Sequence, residues 1–199
     1  MTPITHLLVG WTALEAAQRN DRDRALVVLA GLAPDLDGLG ILFGLGDSGR
    51  GLAETSYFQD FHHVWGHGLP AALVISALVA SLATSRARAA LCAFIAVHLH
   101  FLCDILGSRG KDPEDIWGIA YFSPLADNPM FEWSGQWELI GWQNTLITAV
   151  LLAWMGVRAV RAGYTPLRLL SRKADEQVVT ALRNRFRHTS RQPDPGRPA

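Results

Sequence analysis

His98-Leu99-His100-Phe101-Leu102-Cys103-Asp104 closes an apolar run, Ala89 to Cys103, that holds no Asp, Glu, Lys or Arg. A run of that composition reads as a buried helix. Residues four apart share a helical face, so His100 and Asp104 point the same way. His98, two residues from His100, points nearly opposite. A carboxylate on a buried helix costs free energy unless it is paired, hydrogen-bonded or bound to a metal. An imidazole beside a carboxylate on a rigid buried element is half of a metal site, or else a structural His–Asp hydrogen bond in a core.

Upstream, Phe61-His62-His63-Val64-Trp65-Gly66-His67-Gly68 places three histidines within six residues, a metal-site composition. Helical spacing pairs His63 with His67. Gly66 and Gly68 argue against regular helix, so His62 and His63 stay equally open on spacing. Farther upstream, Pro34 ends a helix expected from about Arg24 to Leu32, and Asp35 and Asp37 follow in an irregular, apolar stretch. Such carboxylates read as ligands for at least one of the pair, the competing reading being capping of the next helix. A first helix, capped by Thr2 and opened by Pro3, carries His6 in its first turn and runs to about Gln18. The charged turn Asn20–Arg24 ends it.

Six of the seven histidines (His6, His62, His63, His67, His98 and His100) fall in three short segments that begin or end apolar elements. The Asp pair makes a fourth. Four such segments converging at one end of a helical bundle would hold a mixed imidazole and carboxylate site. That ligand set suits zinc first, then manganese or iron, and more than four candidate ligands suggests two or more ions.

The chain of 199 residues is long enough for one domain with a sizeable core. Charged residues make up 18%, below the roughly 25% of soluble domains, and the mean hydropathy is +0.14. Gly68–Ser85 and Gly141–Val157 are further uncharged runs, of eighteen and seventeen residues. Both sit near the short limit of roughly 17–25 residues for crossing a bilayer. Membrane insertion or tight membrane association is the expectation, with a compact bundle of central helices as the rival. The fold class expected is all-α: a single compact bundle of about six helices, with a long irregular loop after the fourth. Residues 1–165 would form the helical domain, 166–187 a basic amphipathic helix and 188–199 a disordered tail.

Charge is unevenly spread. Residues 1–157 carry 8 Lys and Arg against 15 Asp and Glu, and residues 158–199 carry 10 against 3. A basic end after an apolar segment points to cytoplasmic retention of that end, contact with anionic lipid, or a protein partner. Aromatic residues are not interleaved with it beyond Phe186, so no nucleic acid is expected. Cys92 and Cys103 lie about 16 Å apart along one helix, too far to bond, which fits a reducing compartment. No secretory signal is evident. Residues 107–137 form a long, aromatic-rich segment that either walls a pocket or sits at headgroup level. Arg109 reads as a surface arginine at a helix end, with contact to a substrate phosphate as the alternative. No internal repeat, phosphate-binding glycine loop or recognisable nucleophile motif is present.

The sequence resembles the family of LexA-binding, inner-membrane-associated metal-dependent hydrolases. That family's pattern is an N-terminal His, Pro-Asp-x-Asp, His-Arg-Gly-x-Thr-His-Ser, and His-x-x-x-Asp followed by a glycine-containing loop. This chain offers Thr5-His6, Pro34-Asp35-Leu36-Asp37, His62-His63-Val64-Trp65-Gly66-His67-Gly68 and His100-Phe101-Leu102-Cys103-Asp104, over about residues 1–125. The match selects His62 over His63 and His100 over His98. It departs where the family's Arg and Gly are His63 and Val64, and where Thr-His-Ser is Gly66-His67-Gly68. The motif order also looks, more distantly, like that of zinc-dependent phospholipase C.

The resemblance implies a metal-dependent hydrolase of a phosphoester, small-molecule or lipid, in or on the inner membrane with a cytoplasmic basic C-terminus. His6, Asp35, His62, His67, His100 and Asp104 would bind metal, and Asp104 would bridge two ions. Asp37 would be a further ligand or would orient a histidine. Asp35 or Asp104 would act as base toward metal-bound water. The rival reading is a non-enzymatic membrane adaptor with a structural metal.

Overall fold

The computed structural model describes residues 1–40, 65–126 and 129–189, with the backbone alone for 37–40 and 187–189. The fold is all-α. The described residues contain six α-helices and a sheet of two short strands. Internal packing divides the chain into two units, Met1–Ala149 and Val150–Ala199.

In the first unit, α1 (Pro3–Leu14) starts where Thr2 Oγ1 accepts the Thr5 N–H and Pro3 sits in the first turn. It tightens into a 3-10 turn, Glu15–Ala17, short of the expected Gln18. Helix α2 (Asp21–Ala30) begins earlier than expected, because Asn20 accepts the Asp23 N–H at 2.8 Å. The charged turn is therefore the first turn of α2, with Asp21 and Asp23 at the positive end of its dipole. A 3-10 turn, Ala33–Gly40, follows Gly31 and carries Asp35 and Asp37. Helix α3 (Leu69–Leu82) starts after Gly68, whose missing Cβ would lie 2.9 Å from the Tyr121 carbonyl oxygen. That close approach lets Leu69 N–H donate to the same oxygen at 2.7 Å.

Helix α4 (Arg86–Gly107) is the spine of this unit. It extends past both ends of the uncharged run, taking in Arg86 and Arg88 before it and Asp104 after it. Ala89, Ala93 and Ala96 are small enough for α2 and α3 to pack closely on it, forming a core with Leu14, Val27, Ala30, Val79 and Ala83. At its other end Val97 and Phe101 pack with Ala72 and Ile119. Asp23, fully buried, accepts the Thr84 and Ser85 N–H groups at 2.7 and 2.8 Å and so ties α2 to the turn before α4. Burial alone would raise its pKa. The donated N–H groups and Asn20 hold it below the usual carboxylate value instead.

The segment after α4 is ordered by two amides. Gln136 Nε2 donates to the Asp104, Ile105 and Trp117 carbonyls at 2.8, 3.2 and 3.0 Å. Asn144 Nδ2 donates to the Gly107 carbonyl at 2.8 Å, and its Oδ1 accepts the Trp137 indole N–H at 2.6 Å. Between them β1 (Ile119–Ala120) pairs antiparallel with β2 (Met130–Phe131). This is the long irregular connection expected after the fourth helix. Helix α5 (Trp142–Ala162) follows it.

The second unit holds the end of α5, a 3-10 turn (Pro166–Leu169) and α6 (Arg172–Thr189). Gly163, at φ 81°, ends α5 in the left-handed conformation that glycine tolerates. Asp175 Oδ1 accepts from the Thr165 N–H and hydroxyl at 2.6 and 2.7 Å, folding α6 back on the turn. The expected amphipathic helix over Leu167–Phe186 is thus a 3-10 turn and a separate α-helix.

Among the described residues two helices, α4 and α5, are long and apolar enough to cross a membrane. Half of α4's apolar stretch is buried within the protein, against 6% of α5's. Large apolar side chains stand exposed on α3 (Leu73, Val74, Leu78, Leu82), α4 (Leu91, Ile95, Leu102) and α5 (Leu146, Val150, Trp154).

Candidate metal centre

The cluster forms where four elements end beside the last two turns of α4. His100 and Asp104, four apart, put Nε2 and Oδ2 3.0 Å from each other. His100 Nδ1 lies 2.8 Å from the Gly31 carbonyl, to which it donates. That hydrogen bond fixes the tautomer and leaves the Nε2 lone pair aimed at the cluster. His67, fully buried in the bend before α3, brings Nε2 to 3.1 Å from His100 Nε2 and 3.5 Å from Asp104 Oδ2. Asp35 Oδ1 lies 3.5 Å from His100 Nε2. His6 stacks on the His100 ring at a centroid separation of 3.8 Å, with Nε2 3.2 Å from Asp104 Oδ1. Burial pushes the His6 pKa below 6.5 against the pull of Asp104, which favours the neutral, ligand-competent ring.

These spacings test whether a cation fits. Four ligands about 2.0–2.1 Å from a tetrahedral ion stand roughly 3.3–3.4 Å from one another. Four such contacts, His67–His100, His67–Asp104, His100–Asp104 and His100–Asp35, run from 3.0 to 3.5 Å. His6, Asp35, His100 and Asp104 each offer a donor atom within 4.8 Å of all the others. Among the described residues, the buried atoms Asp104 Oδ2, Asp35 Oδ2 and His6 Nδ1 have no hydrogen-bond partner. Buried polar atoms are rarely left so. Convergent lone pairs with orphaned carboxylate oxygens are what a divalent cation would satisfy, and the donor set fits zinc.

Asp104 Oδ1 is held differently. It accepts from the Met1 α-amino group and from Ser108 Oγ, the latter at 2.8 Å. Those contacts orient the carboxylate and leave Oδ2 toward His67 and His100. Among the described residues the donors thus gather on one oxygen of Asp104.

The sequence candidates divide cleanly. His6, Asp35, His67, His100 and Asp104 come together. His98 does not: Nδ1 donates to the Phe94 carbonyl at 2.8 Å and Nε2 accepts the Tyr121 hydroxyl at 2.9 Å. Arg109 braces its own loop, donating to the Gln136 and Asp112 carbonyls at 3.0 and 2.7 Å. His62 and His63, and the side chain of Asp37, lie outside the described residues. Ser108 and the Gly31 carbonyl were missed. Ser108 sits four residues after Asp104 and could have been found by that spacing. A backbone carbonyl leaves no trace in a sequence.

A model of the family described as YdjM inner membrane protein matches residues 1–182 of this chain. No curated protein and no solved structure matches it.

Proposed function

We propose, for a chain that belongs to the YdjM inner membrane protein family, that it is a metal-dependent hydrolase of a phosphoester, with its basic C-terminal segment cytoplasmic. The observation that carries this reading is the 3.0–3.5 Å spacing of imidazole and carboxylate donors around Asp104 Oδ2. His67, His100, Asp104 and Asp35 would hold the ion, with His6 against them, and zinc suits the set better than manganese or iron. A bound divalent ion would supply a water of lowered pKa and stabilise charge on a phosphoryl oxygen. Asp35 is the ligand candidate open to solvent, its side chain 21% exposed against 4% or less for His6, His67, His100 and Asp104. That makes its edge the side where water and substrate enter. Its Oδ2, without a hydrogen-bond partner among the described residues, would take the proton from attacking water.

The test is hydrolysis of a panel of phosphodiesters and phospholipids by the zinc-loaded protein, beside Asp104→Asn and His67→Ala. Turnover that needs both the metal and Asp104 is expected. Stoichiometric metal without turnover would instead favour an adaptor whose metal is structural, with the basic C-terminal segment as its protein contact.

A further inference from the structure

Helices α1 to α4 each have one end toward the candidate metal cluster and the other toward the Asp23–Ser85 contact. Helix α1 starts at the cluster with His6. Helix α2 begins at Asp23 and reaches the cluster through the Gly31 carbonyl. Helix α3 leaves it after His67, and α4 runs into it from Arg86. Helix α5 starts beside it, where Asn144 donates to the Gly107 carbonyl. From Arg86 to Asp104 is about 27 Å along the axis of α4, near the roughly 30 Å of a bilayer's hydrocarbon.

The two ends differ in charge. The described residues at the cluster end, 31–40, 65–68, 107–126 and 129–141, hold two Lys and Arg (Arg109, Lys111) against seven Asp and Glu. At the other end, Glu15–Arg24 and Ala83–Arg88 hold five arginines against three acidic residues (Glu15, Asp21, Asp23). Ten further Lys and Arg follow α5, in 158–199. Lysine and arginine near the ends of spanning helices are retained in the cytoplasm.

The aromatic residues give a second, independent sign. Five of the seven Trp (65, 117, 133, 137 and 142) lie in or at the edge of the cluster-end stretches. Trp65 and Trp142 are 57% and 70% exposed. Exposed Trp at one end of apolar helices marks headgroup depth.

We infer that the metal cluster faces away from the cytoplasm, at the headgroup level of the extracytoplasmic leaflet, and that its substrate class is a lipid phosphoester displayed there. The substrate half rests on the hydrolase reading, whereas the orientation does not.

Single cysteines at exposed positions test the orientation: Ala87→Cys and Ser171→Cys on the basic side, Glu114→Cys at the cluster end. The native Cys92 and Cys103 are buried and set the background. Each full-length variant is labelled with a membrane-impermeant maleimide in sealed cells and in inverted inner-membrane vesicles, and normalised to labelling in detergent. Glu114→Cys should label at least tenfold better from outside, with Ala87→Cys and Ser171→Cys showing the reverse. Asp112→Cys serves as a second cluster-end position if Glu114→Cys does not reach the membrane. The opposite pattern overturns the orientation, as does labelling of all three only in inverted vesicles. With the orientation upheld, headgroup release from phospholipid supplied to right-side-out vesicles, and not to inverted ones, is expected. No release in either overturns the substrate assignment alone.

Discussion

Replacing Asp104 by Asn removes one negative charge from the centre of the cluster while keeping the side chain's shape. Oδ2 lies 3.0 Å from His100 Nε2 and 3.5 Å from His67 Nε2, so a bound ion would meet it directly. Losing a residue that merely orients a ligand costs about 10–100-fold in metal affinity. Losing the anionic ligand itself should cost at least about 100-fold. With zinc free at about a hundred times the native Kd, binding stabilises the native protein by about 2.7 kcal/mol. At the same zinc the variant sits near its own Kd and gains about 0.4 kcal/mol. For a chain of this size about 2–4 °C of Tm accompanies each kcal/mol. Zinc should therefore raise the native Tm by roughly 5–11 °C and that of Asp104→Asn by roughly 1–2 °C. The assay is thermal unfolding of each purified protein with and without zinc. Comparing a protein with itself cancels whatever the substitution does to the metal-free fold. An equal zinc shift in the two proteins would refute the assignment of Asp104 as a ligand.

Other perturbations probe the scaffold. Gly68→Ala puts a Cβ 2.9 Å from the Tyr121 carbonyl oxygen, so the start of α3 must move. A loss of about 1–3 kcal/mol in denaturant unfolding, with weakened zinc binding through the displaced His67, is expected. Gln136→Ala leaves the Asp104, Ile105 and Trp117 carbonyls without their side-chain donor and should cost about 1–3 kcal/mol. Faster amide exchange across residues 108–118 would accompany it. Asp23→Asn should destabilise by a similar amount, since two backbone N–H groups lose a charged acceptor. Because folding lowers the Asp23 pKa, its contribution is complete above the ordinary value of 3.8 and is lost as pH falls through the lower folded value. The stability gap between native protein and Asp23→Asn should thus narrow in acid and stay constant from about pH 5 to 7.

The half of the site that lies on one helix was readable from the chain. His100 and Asp104 share a face by spacing alone, and the same spacing turns His98 away. The placement of Asp35 after Pro34 and of His67 between two glycines was likewise visible as chemistry. Their meeting was not, since it depends on α2 and α3 docking against the alanines of α4. Local composition misled where it was read as a break between helices. Asn20–Arg24 looked like a charged turn, yet Asn20 is a cap and Asp23 is fully buried on backbone donors that lie about sixty residues away in sequence. The aromatic segment after α4 gave no helical or strand period, and its order comes from Gln136 and Asn144, whose partners are carbonyls. Helix α4 outran its apolar run because Arg86 and Arg88 reach solvent while Asp104 Oδ1 accepts from the Met1 amino group and Ser108.

Zinc K-edge absorption, or anomalous scattering, on the zinc-loaded protein tests the central claim most directly. One ion should lie about 2.0–2.2 Å from imidazole nitrogens of His67 and His100 and from carboxylate oxygens of Asp104 and Asp35. Zinc absent at stoichiometric loading, or bound by Cys92 or Cys103 sulfur, would contradict it.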